Sequence, residues 1–236
     1  MKIICLWASP RNISTAFMYS FAQRKDTVVM DEPYYGYYLK KTSTTHPGKQ
    51  LILKNVETDA DKITQSILNY SNKKKILFIK NMAHHIKGLD ITFTKNFYNI
   101  FLTRNPEMMI TSLIKKIPNI SIKDTGYKDQ YDLLLSLLKM NKNPIVIDSK
   151  NLLLNPQKTL TKICQNIKIP FYGSMLKWEK GGIKEDGIWA KYWYENVHES
   201  TKFYHNENKT KIIPEEYKCL VGECNKYYNK LLEYSL

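Results

Sequence analysis

Runs of four to eight apolar residues alternate along this chain with longer stretches of helical period, and that alternation leaves few folds open. A strand that is apolar at successive positions must be covered on both faces, which is the situation inside a parallel sheet wrapped by helices. The expected class is α/β, a three-layer parallel sheet flanked by helices. Strands are expected at residues 2–7, 27–30, 75–80, 98–103 and 144–148, and helices at 15–23, 59–70, 106–114, 129–140, 156–166 and 215–234. Ile63, Ile67 and Leu68 share one helical face, Pro106 stands at the favoured first-turn position, and Pro33 closes the second strand. Residues 173–205, with Gly181-Gly182, Gly187, Trp178, Trp189 and Trp193, are expected to form a long functional loop. No repeat, linker or second hydrophobic centre interrupts the chain, so residues 1–236 are expected to be one domain.

Charge narrows the function. Lys and Arg number 36 against 22 Asp and Glu, a net +14 that suits a protein meeting anions. The clusters Lys73-Lys74-Lys75 and Lys115-Lys116 are short, sit at element ends and lack interleaved aromatic residues, so no nucleic-acid partner is expected. No stretch reaches the roughly 18 apolar residues of a membrane span, and residues 3–8 are too short for a signal-peptide core. The expectation is a cytoplasmic protein without a membrane partner. Cys5, Cys164, Cys219 and Cys224 are scattered without metal-ligand spacing, so reduced thiols and no bound metal are expected.

Two segments carry chemistry. The first strand runs into Ser9-Pro10-Arg11-Asn12-Ile13-Ser14-Thr15 and then a helix, an order that turns backbone N–H groups toward a phosphate. The loop lacks the Gly-Lys-Ser/Thr ending of a Walker motif. Arg104 follows a later strand at the carboxyl edge of the sheet, with Ser112 eight positions on along the next helix, and this pair suits a second phosphate.

With these segments the chain resembles the sulfotransferase family, which uses 3′-phosphoadenosine 5′-phosphosulfate as donor and releases 3′-phosphoadenosine 5′-phosphate. Pro10-Arg11-Asn12-Ile13-Ser14-Thr15 resembles the family's 5′-phosphosulfate loop, and Arg104 with Ser112 matches its 3′-phosphate pair in type and spacing. Asp148, Leu152 to Leu154, Asn155-Pro156 and Thr159-Leu160 resemble its later segment. The likeness is nearest to a sulfotransferase-like group with Pro-Arg-Asn-Ile-Ser-Thr and Asp-Glu-Pro. The architecture it implies is the P-loop NTPase-like one of sulfotransferases. Ile13 stands where the family has glycine, so this loop is expected to keep φ negative there or to bend differently.

The resemblance implies sulfuryl transfer to a hydroxyl of a small-molecule acceptor. Arg11 is expected at the leaving oxygen, Asn12, Ile13, Ser14 and Thr15 around the 5′-phosphate, and Arg104 with Ser112 at the 3′-phosphate. Two base candidates stand open: Glu32, which would need its pKa raised by burial, and His84 or His85, which resemble the family's Lys-x-His segment and titrate near neutral pH. His198 ranks behind them. Lys180 and Lys202 are further phosphate contacts, and Tyr34, Tyr35, Tyr37 and Tyr38 a candidate acceptor wall. Two readings compete: an ATP-dependent P-loop phosphotransferase with Asp31 or Glu32 on a metal, and a nucleotide-binding module without transfer activity.

Overall fold

The computed structural model describes residues 1–140, 142–204 and 212–236. The chain runs β1 (Lys2–Ala8), α1 (Ser14–Ala22), β2 (Thr27–Asp31), α2 (Tyr35–Lys41), α3 (Lys49–Asn55), α4 (Ala60–Leu68), β3 (Ile76–Met82) and β4 (Tyr98–Thr103). It continues through α5 (Pro106–Leu113), α6 (Ile122–Thr125), α7 (Tyr127–Lys139), β5 (Ile145–Asp148), α8 (Ser149–Leu154) and α9 (Pro156–Asn166). The short α10 (Ala190–Trp193) and α11 (Glu195–His198) precede the last helix, α12 (Lys218–Leu232).

The strands form one sheet in the order β2-β3-β1-β4-β5, with every pairing parallel. β1 is central, which is why its residues are buried on both sides. Ile4 and Leu6 face a core shared with Phe17 and Phe21 of α1, Leu152 of α8 and Leu160 and Ile163 of α9. Cys5 and Trp7 face the opposite core, made with Ile63 and Ile67 of α4, Leu133, Leu134 and Leu137 of α7, and Leu231 of α12. The expected three-layer α/β class is the observed one. Because all strands point the same way, the segments after β1, β2, β3, β4 and β5 gather at one edge, where open α/β sheets bind ligands.

All five expected strands are present. The helices α2, α3 and α8 were not expected: at seven, seven and six residues each is too short for a helical period to stand out from its neighbours. The expected loop 173–205, whose last residue lies outside the described residues, is over 173–204 more ordered than a long loop. It holds a 3₁₀ turn at Gly173–Leu176, α10 and α11, and an antiparallel bridge between Lys177 and Lys202.

One buried side chain fixes the central strand to its neighbours at this edge. The Gln130 amide on α7 is fully buried; its nitrogen donates to the carbonyls of Trp7 and Leu102 (3.0 Å each), and its oxygen accepts from Ser9 Oγ (2.7 Å). Gln130→Leu removes these bonds while leaving their partners buried. It should destabilise the fold by about 1–3 kcal/mol in urea unfolding, with no change in the denaturant slope.

Candidate active site

The loop after β1 is shaped by side-chain anchors on both sides. Asn12 Nδ2 donates to the Leu102 carbonyl, and Arg104 Nη1 donates to the Arg11 carbonyl at 2.7 Å. Between these anchors Arg11 and Ile13 adopt left-handed backbone, with φ of 57° and 67°. Ile13 therefore has the conformation a glycine would take, and the expectation of a negative φ or a different bend is corrected. Left-handed backbone costs a β-branched residue ~1–2 kcal/mol, which persists here because the Ile13 side chain packs against the core with α1. Ile13 is also the N-cap of α1 and offers no capping side chain, so the amides of Ser14 and Thr15 face the loop without one.

These residues open onto a cavity of about 670 Å³. Arg11, Asn12, Ile13, Ser14, Thr15, Glu32, His84, His85, Arg104, Ser112 and Lys202 all line it. Lys180 does not: its ammonium sits outside against Glu199 at 2.6 Å, with both side chains largely exposed. Arg11 crosses the cavity, donating from Nε to Ser112 Oγ (3.1 Å) and from Nη1 to the Trp193 carbonyl (2.9 Å). The two expected phosphate contacts, Arg11 and Ser112, are thus in direct contact. Burial, with the Arg104 charge adding to it, lowers the Arg11 pKa; burial also lowers that of Arg104.

Glu32 and Tyr194, which also line the cavity, belong to a buried acid–base cluster. Lys80, fully buried on β3, reaches Asp31 Oδ1 at 2.9 Å, Glu32 Oε1 at 2.5 Å and the Tyr194 hydroxyl at 2.5 Å. Tyr194 in turn donates to Asp31 (2.8 Å to Oδ2) and accepts from Trp189 Nε1 (3.0 Å), while the Gly187 amide donates to Asp31 Oδ2 (3.0 Å). Burial alone would lower the Lys80 pKa, but the two carboxylates outweigh it and hold the ammonium charged. One ammonium cannot neutralise both acids, and burial plus the Asp31 charge raises Glu32. Glu32, too, has left-handed backbone, φ 41°.

His85 Nδ1 lies 3.8 Å from Glu32 Oε2, and the His84 and His85 rings are 4.6 Å apart. Desolvation pushes His84 down to about 4 and His85 well below its ordinary value. The expectation that these histidines titrate near neutral pH is corrected: both are uncharged there. Tyr35 stacks on His85 at 4.9 Å, and Tyr38 packs on both histidines, but only Tyr35 of the four tyrosines lines the cavity. Tyr34 turns into the core toward Thr64, and Tyr37 pairs with Lys41 outside. Trp193 lines the cavity, Trp189 supports Tyr194, and Trp178 belongs to the core. His198 is also outside the cavity; with the Tyr19 hydroxyl it holds Asp186, pinning the 178–204 segment onto α1.

Sequence reasoning gave Lys80 and Tyr194 no part in the cluster. A lysine inside the apolar run of β3 was the available signal for the first. No signal existed for Tyr194, which arrives from a segment more than 110 positions away.

The family model described as "Sulfotransferase domain" matches residues 1–220. Among curated proteins, the branched-chain-amino-acid aminotransferase-like protein 2 of Arabidopsis thaliana is 37% identical over 232 residues, covering 98% of this chain and 41% of that protein. Its companion, protein 1, is 35% identical over 231 residues with the same coverage. The chain thus spans about two fifths of the length of these curated relatives. Among solved structures, the sulfotransferase domain of the Synechococcus PCC 7002 olefin synthase superposes with a TM-score of 0.61 at 14% identity, covering 97% of this chain and 94% of that one. The sulfotransferase domain of the curacin biosynthetic pathway gives 0.58 at 16% identity, covering 97% of each. At such identities these two structures speak for the fold.

The buried imidazoles make stability depend on acid. Folded His84 stays neutral down to about pH 4, whereas in the unfolded chain it protonates near its ordinary 6.5. Unfolding therefore takes up protons between these limits, and stability falls as the pH drops through them, by up to about 1.4 kcal/mol per pH unit for this residue. His85 acts in the same direction; Glu32, held above its ordinary value, acts in the opposite one and favours the fold at low pH. Urea midpoints at pH 7 and pH 5 should differ less in His84→Asn than in the parent. An equal loss in both would place the buried proton-refusing group elsewhere.

Proposed function

This chain belongs to the sulfotransferase domain family, and from that premise we propose that it moves a sulfuryl group from 3′-phosphoadenosine 5′-phosphosulfate to a hydroxyl of a small-molecule acceptor. One observation carries the reading: a single cavity joins the loop after β1, two half-buried arginines and a carboxyl group whose proton affinity burial has raised. Its volume of about 670 Å³ lies within the range of nucleotide-sized sites. The uncapped start of α1 and the left-handed loop leave backbone donors for a phosphate, so the residues present fit the donor.

The donor, when bound, supplies the activated sulfuryl group. Asn12, Ile13, Ser14 and Thr15 are assigned to the 5′-phosphate, Arg104 and Ser112 to the 3′-phosphate, and Lys202 to the cavity mouth. Arg11, which reaches Ser112 and the Trp193 carbonyl, is assigned to the charge that develops on the leaving oxygen. Glu32 is assigned the acceptor's proton, because a raised carboxyl is the better base and Lys80 fixes its orientation. His85, neutral, lies beside that carboxylate with its Nδ1 3.8 Å from Oε2. Lys180 is not proposed as a contact. No helix among the described residues is long and apolar enough to cross a membrane, and a cytoplasmic place is proposed with the rest.

Thermal unfolding with 3′-phosphoadenosine 5′-phosphate, adenosine 5′-phosphate, and ATP with and without Mg²⁺ tests the donor assignment. At a hundredfold excess over Kd a ligand adds about 2.7 kcal/mol, roughly 5–11 °C in Tm for a chain this size. The shift is expected with the 3′-phosphorylated nucleotide, and Arg104→Ala should cut its affinity about tenfold or more. A shift with ATP and Mg²⁺ alone would favour a phosphotransferase, and binding of the nucleotide without transfer to any hydroxyl would favour a module that has lost the chemistry.

A further inference from the structure

We propose that the acceptor of this enzyme is a hydroxyl compound that also carries a positive charge, and that Asp124 is the residue that reads that charge. The proposal rests on the sulfuryl-transfer reading above and concerns the part of the same cavity lined by Glu32, the histidines and Asp124.

That wall is continuous through named contacts. Glu32 meets His85, His85 meets His84, and both histidines pack on Tyr38. His46 packs against Tyr35 (5.8 Å) and Trp193 (5.5 Å), with its Nδ1 bonded to the Tyr35 hydroxyl at 2.8 Å. Asp124 closes the wall from α6, near enough for its charge to act on both His46 and His84. Its Oδ2 accepts from the backbone N and Oγ of Ser121, both at 2.8 Å, while Oδ1 takes no hydrogen bond from any described residue.

Three features of this wall suit a cation bearing N–H or N–CH₃ groups. In a chain of net charge +14, the cation at this wall is Arg11, whose Nε and Nη1 are committed to Ser112 Oγ and the Trp193 carbonyl, and no lysine presents a free ammonium to it among the described residues. Lys80 is neutralised by Asp31 and Glu32, and Lys87 lies outside against Asp129 at 3.6 Å. The nearby Lys49 spends its ammonium on the carbonyls of Thr42 and Thr44. Secondly, His84 and His85 are both more than nine-tenths buried, border the cavity, and each keep an Nδ1 without a hydrogen-bond partner among the described residues. Thirdly, Tyr35, His46 and Trp193 border the same space, and aromatic rings attract a cation. Asp124 and Glu32 together repel an anionic acceptor, while Arg11 and Arg104 attract the anionic donor. In the transfer, the acceptor oxygen bonds to sulfur as the sulfur–oxygen bond to the donor phosphate breaks. The hydroxyl proton passes to Glu32, and the nucleotide leaves with the electron pair of the broken bond.

Three phenols of matched shape test this: tyramine (ammonium), 4-ethylphenol (neutral) and 3-(4-hydroxyphenyl)propionate (carboxylate). Each is assayed with labelled donor, and by calorimetry on the protein loaded with 3′-phosphoadenosine 5′-phosphate. Tyramine should exceed 4-ethylphenol about tenfold or more in kcat/KM or, where turnover is absent, in affinity, with the propionate weakest. Asp124→Asn keeps an oxygen for Ser121 and should bring the tyramine-to-ethylphenol ratio close to one. Asp124→Glu should retain the preference, and answers for the asparagine variant if that one fails to fold. Equal use of the three phenols, preference for the carboxylate, binding of none, or an Asp124→Asn ratio like the parent's overturns the proposal. Loss of the thermal shift with 3′-phosphoadenosine 5′-phosphate overturns the donor reading instead; that shift present without charge preference overturns this proposal alone.

Discussion

The ammonium of Lys80, buried between Asp31 and Glu32, is the interaction on which the site depends. β3 pairs β2 in register, with Lys80 directly opposite Asp31, so the sheet itself brings cation and carboxylate together. A buried ion pair contributes little net stability once desolvation is counted, but removing one partner leaves an uncompensated charge and costs several kcal/mol. The cluster therefore acts as a constraint. It commits the turn after β2 to one geometry, tolerates left-handed backbone at Glu32, and docks Tyr194 and the Gly187 amide onto Asp31. Through those two contacts the segment 178–204 closes one side of the cavity.

Strain gathers where the chain must present backbone and charge together. Arg11, Ile13 and Glu32 all have positive φ, and all three line the cavity. Each is held by something rigid: Arg11 by the Arg104 guanidinium on its carbonyl, Ile13 by packing against the core, Glu32 by Lys80 and by its own amide bonded to the Lys80 carbonyl. Such conformations persist only when their surroundings over-determine them, and here the surroundings are the central strands. The Gln130 amide serves the same end, fixing Ser9 and the carbonyls of Trp7 and Leu102 beneath the loop.

The cavity mixes its charge. Arg11, Arg104 and Lys202 line it together with Glu32, Asp124 and imidazoles that burial keeps neutral. The overall +14 says nothing of this arrangement, because it is made by which side chains are buried together.

The sequence by itself determined the class and the succession of strands and longer helices along the chain. Continuous apolar runs such as Ile3 to Trp7 and Ile76 to Ile79 read as strands covered on both faces, and the Ser9 to Thr15 turn was legible as the loop that joins strand to helix at the sheet edge. The spacing of Arg104 and Ser112 after a later strand was equally legible, because residues on one strand end and the next helix stay close in any parallel sheet. Short helices α2, α3 and α8 escaped notice, since one or two turns carry too little period to read. What only the tertiary structure decided depends on long-range neighbours. Tyr194 joins Lys80 across 114 positions, Lys180 turns away to Glu199, and His84 and His85 lose their charge to burial under Tyr35 and Tyr38. Local sequence fixes which side chains stand at the sheet edge; desolvation and contact between distant segments fix which of them carry charge there.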